Sequence, residues 1–140
     1  LSVEVTSPRD VATRIEVVRR RDAYERDPEK FLKAWKPEET ALRKRILAGR
    51  KLLPKVRTTD AALEDCAGLC IALGSDGLRG ELTLLRAGRA LAAFEGSDTL
   101  DRSHIRQVAA SALRHRLRRD PLDEAGSGAR VARCLDEVLG

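Results

Sequence analysis

The chain has no methionine, one tryptophan, one tyrosine, two phenylalanines and three cysteines in 140 residues. Each shortage excludes something. So few aromatics leave little for stacking on unpaired bases, the usual device of single-strand nucleic-acid binders. Three cysteines, two of them inside one apolar segment, do not make the even framework of a disulfide-stapled secreted domain, and they point to a reducing, cytoplasmic compartment. The longest apolar runs, such as Leu69 to Leu73, fall far short of the roughly 20 residues that span a bilayer, so no membrane span is expected. The first residues lack the basic and apolar regions of a signal peptide. A start at Leu1 in a chain without methionine predicts that it was cut from a longer one, with chemistry lying upstream.

Charge is abundant but mixed. Lysine and arginine number 27 against 22 acids, and charged residues make up 35% of the chain for a formal net of +5. That interleaving, with 42% hydrophobic residues, predicts one folded domain rather than a disordered tail. The balance shifts along the chain: seven bases meet two acids in residues 37–57, and three bases meet eight acids in residues 58–101.

Residues 1–6 alternate apolar and polar at period two and predict a short strand, an orphan because no second strand is evident in the next hundred residues. Ser7-Pro8 then reads as a cap and first turn of a helix running to about Arg26, with Val11, Ile15 and Val18 at helical spacing. Asp27-Pro28 repeats the signal for a short helix carrying Phe31 and Trp35. Pro37-Glu38-Glu39 opens a third helix that Leu52-Leu53-Pro54 closes. Thr58 or Thr59 caps a fourth, from Asp60 to about Leu73, whose Ala62, Cys66, Leu69, Cys70 and Leu73 mark it as the central core helix. A turn at Gly74-Ser75-Asp76-Gly77 leads to a helix from Leu78 to about Glu95. On its wheel Leu78, Leu82, Leu84, Leu85, Leu91 and Ala92 share one arc, and Arg79, Thr83, Arg86 and Ala90 share another. Asp101 or Ser103 starts the next helix, with Ile105, Val108, Ala109, Ala112 and Leu113 as its core stripe. Asp120-Pro121 breaks that helix, Gly126-Ser127-Gly128 forms a turn, and Val131, Leu135, Val138 and Leu139 make a last short helix. The fold class is therefore all-α, a helical bundle over residues 58–140 preceded by a helical linker over 7–57 and the orphan strand over 1–6.

No phosphate-binding glycine loop, zinc-protease helix or nucleophile elbow is present. Cys66 and Cys70 fall on one helix face and offer two thiolates, but a structural zinc needs four ligands, and the remaining Cys134, His104 and His115 are scattered. The pair reads as small buried hydrophobes, and both histidines as solvated. Phe31 and Trp35 read as a local packing pair rather than a docking knob. Arg114, Arg116, Arg118 and Arg119 suggest a phosphate track, yet acids follow at once, so a solvated face is the better reading.

Arg79 is different. A cation in the first turn of a helix opposes the helix dipole by a few tenths of a kcal/mol, and a bound anion is the missing partner it invites. Arg86, seven residues on and on the same face, adds a second guanidinium for a phosphate-bearing ligand.

The run from Gly77-Leu78-Arg79-Gly80 to Gly96, together with His115 to Gly128 and Val3 to Asp10, resembles the AAA+ ATPase subunit I of magnesium chelatase in bacteriochlorophyll biosynthesis. The resemblance covers nearly the whole chain. It implies the C-terminal lid of an ATPase that uses ATP with Mg²⁺, forms a ring of its own copies, and joins the D and H subunits of magnesium chelatase, driving the insertion of magnesium into protoporphyrin IX by the larger of the two. It also implies that the phosphate-cradling loop and other catalytic motifs lie upstream, so that this chain alone is inactive. Only the sensor 2 arginine has a matching position here, Arg79, which in that family contacts the γ-phosphate and couples nucleotide state to the angle between lid and core. Two other readings stay open at this stage: the lid of another AAA+ chelatase or MoxR-like ATPase, and a free-standing helical adaptor or nucleic-acid-binding module.

Overall fold

The computed structural model describes residues 1–3, 5–75, 78–116 and 126–140. Two compact units divide it: Glu4–Ile46, and Leu1–Val3 together with Leu47–Gly140.

The first unit holds α1 (Val11–Arg26) and most of α2 (Pro28–Leu52). Asp10, not Ser7, caps α1, its Oδ1 accepting from the Thr13 N–H at 2.7 Å. A carboxylate one residue before the helix serves the orphan N–H groups directly, so the Ser7-Pro8 pair is left outside. No residue of α1 is buried. What steadies it is local: Glu16–Arg20, Arg21–Glu25 and Asp22–Arg26 pair at i, i+4 within 3.0 Å, each worth about 0.3–0.5 kcal/mol. Tyr24 meets Phe31 edge-on at 5.7 Å, Phe31 meets Trp35 at 5.9 Å, and the Arg20 guanidinium lies 4.6 Å over the indole. Asp27 serves both helices, closing α1 by donating its N–H to the Ala23 carbonyl and opening α2 by accepting from the Lys30 N–H.

The expected break at Pro37 is absent, because α2 runs through it as one helix of 25 residues. Proline removes the N–H that would serve the Lys33 carbonyl. This segment is exposed, so solvent can satisfy that group, and the good helix formers that follow carry the helix on.

The second unit is the bundle. It holds the end of α2, a 3-10 turn at Leu53–Lys55, α3 (Asp60–Ala72), α4 (Arg79–Glu95), α5 (Arg102–Leu113) and α6 (Gly126–Leu139). A two-residue parallel ladder, β1 (Arg57–Thr58) with β2 (Thr99–Leu100), ties the entry of α3 to that of α5. So short a ladder has no sequence period to betray it. Residues 1–3 and 5–6 form no strand; the Ser2 N–H instead donates to the Ser111 carbonyl at 2.7 Å. The core is aliphatic, with Leu69, Leu84, Leu100, Ile105, Leu113 and Val131 fully buried.

Helix α4 does not bury the leucine arc in full. Its inward line is Gly80, Leu84, Gly88, Ala92 and Ala93, whereas Leu78 is 75% and Leu82 46% exposed. A small residue suits the line where β2 reaches it: a Cβ on Gly88 would lie 2.8 Å from the Leu100 Cδ1, with the Ile105 Cγ1 of α5 at 3.9 Å. Gly96 ends the helix in the left-handed region at φ 84°, and the Ser97 N–H closes it on the Ala92 carbonyl, a conformation glycine adopts without penalty.

Asp101 caps α5 in a reciprocal box with His104. Contrary to the solvated reading, His104 is 4% exposed. Its Nδ1 accepts the Asp101 N–H, and its Nε2 stands 3.4 Å from the Glu95 Oε2. The expected turn at 126–128 belongs to α6, while the Asp120-Pro121 break lies outside the described residues. Three arginines serve helix-end carbonyls: Arg102 and Arg106 donate to Leu139 and Leu135 of α6, and Arg130 to Leu73 at the end of α3.

Candidate functional site

The start of α4 is the best-built candidate. Helix α3 closes behind it, with the Gly74 N–H on the Ile71 carbonyl and the Ser75 N–H on the Cys70 carbonyl. Gly77 of the Gly77-Leu78-Arg79-Gly80 motif lies outside the described residues. Leu78 then holds the cap position, and its side chain makes no cap hydrogen bond. Among the described residues no side-chain acceptor serves the first N–H groups of α4, an arrangement that suits an incoming anion. Arg79 is the first helical residue and is exposed. Its carbonyl accepts from the Thr83 hydroxyl at 2.7 Å, so it shares a face with Thr83 as the wheel predicts.

Gly80 fixes where this terminus sits. It is buried, and a Cβ there would meet the Ser75 Oγ at 2.6 Å, the Cys70 Sγ at 3.0 Å and the Leu113 Cδ2 at 3.5 Å. The backbone carrying Arg79 is thereby pressed against the end of α3 and the last turn of α5. Glu81, at the third position of α4, is half-buried with its Oε2 enclosed and, among the described residues, without a hydrogen-bond partner. Burial first, and the Glu81 carboxylate after it, raise the pKa of both Cys66 and Cys70.

Arg86 is exposed but lies elsewhere on the helix. It lines a cavity of about 300 Å³ with Leu53, Pro54 and Arg89, and Arg79 takes no part in that lining. Sequence reasoning misses Arg89. Its only signal is a spacing of three from Arg86, which a surface pair shares.

The cysteines carry no chemistry in this state. Burial, ahead of the nearby carboxylates, pushes Cys66 up to about 11 and Cys70 up to about 12, and Cys134 rises for the same reason. A thiol so protonated is a poor nucleophile near neutral pH. Among the described residues no three His, Cys, Asp or Glu side chains gather as a metal site. His115 is exposed, Phe31 and Trp35 are the local pair expected, and Arg118 and Arg119 lie outside the described residues. No described helix is long and apolar enough to cross a membrane.

Residues 63–133 match the model of the AAA lid domain, a range that holds α4 with its Arg79 terminus and α5 in full and parts of α3 and α6. The chain belongs to the AAA lid family. The lid is similar over 99% of its length to the magnesium-chelatase 38 kDa subunit of Rhodobacter capsulatus at 64% identity, and to that of Cereibacter sphaeroides at 65%. It spans 40% and 42% of those two chains. Among solved structures it is similar to a chain in a model of the complex between subunits BchI and BchD of magnesium chelatase, at 54% identity and a TM-score of 0.46, over 99% of this chain and 40% of that one.

Proposed function

We propose that the chain is the C-terminal lid of the ATPase subunit of a magnesium chelatase, with Arg79 as its sensor 2 residue. The single observation that carries the site is the first turn of α4, without a side-chain cap among the described residues, with an exposed guanidinium at its first position. Both features favour an anion, the helix end through its N–H groups and the arginine through a charge-assisted contact. ATP with Mg²⁺ supplies the phosphoanhydride bond whose hydrolysis drives the work. Arg79 holds the γ-phosphate end of that nucleotide, and Gly80 keeps the arginine at the end of the bundle by admitting close packing behind it. Phosphoryl transfer gains chiefly from such positioned charge. The phosphate-cradling loop belongs to a part of the protein beyond this chain, so the chain alone is inactive.

In the whole ATPase, nucleotide state sets the angle between lid and core. The motor works as a ring of its own copies with the D and H subunits of magnesium chelatase, in the cytoplasm, and promotes insertion of magnesium into protoporphyrin IX. The similarity to magnesium-chelatase subunits supports this reading over a MoxR-like lid. Arg86, also expected to face phosphate, lines a different cavity. Reconstitution tests the function: the full-length ATPase with the D and H subunits should form magnesium protoporphyrin IX only when ATP is hydrolysed. Formation without ATP, or none with all three components present, contradicts it.

A further inference from the structure

Helix α2 is anchored near both ends and little supported between them. Near its start Phe31 meets Tyr24 of α1, and Trp35 lies under the Arg20 guanidinium; both α2 rings are half-buried. Near its end Gly49 is buried, and a Cβ there would lie 3.1 Å from the Ala93 carbonyl oxygen and the Phe94 Cα, so the backbone is pressed onto the last turn of α4. Every residue from 36 to 48 is exposed, so tertiary packing does little to keep that stretch straight. Two features weaken its backbone. Pro37 has no N–H to donate to the Lys33 carbonyl, and its ring crowds the same oxygen. One turn on, the Thr40 hydroxyl donates to the Lys36 carbonyl at 2.7 Å, a bond from a side chain to its own helix that destabilises and bends helices. Both features fall on one face, because Lys33, Lys36, Pro37, Thr40, Ala41 and Lys44 line a single groove of about 370 Å³. Three ammonium groups on that face repel one another, whereas α1 is stapled by three ion pairs at i, i+4.

We propose that the turn from Lys36 to Thr40 is a hinge built into α2. The helix bends there through about 20° or more, while the stretch before it and the stretch after it each move as a rigid rod. Weakness on one face gives the hinge a direction, since a helix opens most easily on the side where its carbonyls lack donors. Bending costs little in unmet hydrogen bonds, because the segment is exposed and water can serve the carbonyls that open. Neither anchor need break, since Trp35 lies before the hinge and Gly49 lies more than two helical turns after it. The hinge depends on α2 alone and stands whether or not Arg79 is a sensor.

Amide hydrogen exchange and residual dipolar couplings of the 140-residue chain test the hinge, with Pro37→Ala as the decisive variant. In the parent, the amides of residues 38–41 should exchange at least about tenfold faster than those of residues 31–35 and 47–52 of the same helix. Alanine at 37 restores the donor and removes the ring, so exchange at 38–41 should slow by at least about tenfold. Thr40→Ala should slow it by less. Dipolar couplings should report unequal degrees of alignment for residues 29–35 and 41–52 in the parent, and equal ones in Pro37→Ala. The proposal is overturned if exchange is uniform along the exposed stretch, if Pro37→Ala leaves exchange at 38–41 unchanged, or if the two stretches of the parent align alike. Position 37 is exposed and alanine is the better helix former, so the variant keeps the fold and its signals remain readable.

Discussion

Gly80 packs so closely on Ser75 that a Cβ at position 80 would stand 2.6 Å from the Ser75 Oγ, with the buried Cys70 Sγ at 3.0 Å behind it. The hydroxyl can rotate away, but the Cys70 sulfur is enclosed in the core. Alanine at 80 therefore trades a gain in helix propensity of about 1 kcal/mol against overpacking of about 1–3 kcal/mol. Gly80→Ala should be destabilised by about 1 kcal/mol net in urea unfolding. An unchanged or raised midpoint would mean that α4 does not approach α3 this closely.

The buried cysteines give the lid an alkaline limit. Cys66 and Cys70 lie at about 11 and about 12 in the folded chain against an ordinary 9.0, because burial disfavours the thiolate. Between pH 9 and 11 the folded state holds protons that the unfolded state has released. Stability contributed by these thiols is therefore complete below about pH 9 and falls as pH rises through that window. Thermal melts from about pH 8 to 11 should fall less steeply in Cys66→Ala/Cys70→Ala than in the parent. Equal slopes would show that the thiols ionise normally.

Arg102 binds Asp65 with two nitrogens at 2.8 and 2.9 Å and donates to the Leu139 carbonyl, joining α3, α5 and α6. By sequence it reads as an ordinary surface residue, but it fastens the bundle. Arg102→Ala should melt below the parent, and Arg133→Ala, exposed on α6, should melt with it. Two identical melts would show the Arg102 contacts to be neutral.

The helices of the bundle are legible because caps and apolar spacing agree: Thr59 before α3, Asp101 before α5, and Ile105, Ala109, Ala112 and Leu113 along α5. Arg79 is legible because a cation at a helix start breaks a local electrostatic preference. Other features are not. The inward face of α4 is set by how closely Leu100 of β2 approaches Gly88 and the end of α3 approaches Gly80, so glycines displace leucines from the core line. Proline at 37 reads as a stop, yet solvent can serve the carbonyl it orphans. His104 looks polar in isolation, and the cap it shares with Asp101 together with the Glu95 carboxylate makes its burial tolerable. Arg89 depends on a turn 36 residues earlier in the chain, a distance at which spacing carries no signal.

The 140-residue chain should bind Mg-ATP weakly and hydrolyse none, because a lone helix terminus cannot replace a phosphate-cradling loop. Calorimetric titration checks this. Submicromolar affinity, better than about −8 kcal/mol, would show that the chain holds a nucleotide site of its own.

The most direct measurement compares ATP hydrolysis with thermal stability in full-length Arg79→Ala. The side chain is exposed and fills no core volume, so stability should change by no more than about 0.5 kcal/mol. Loss of a charge-assisted contact to the γ-phosphate should raise the barrier by about 3 kcal/mol, slowing hydrolysis by roughly two orders of magnitude. Arg133→Ala should leave both quantities unchanged. Hydrolysis lost at parental melting temperature is the predicted result. Hydrolysis retained in Arg79→Ala, or lost only together with the fold, would contradict the assignment of Arg79.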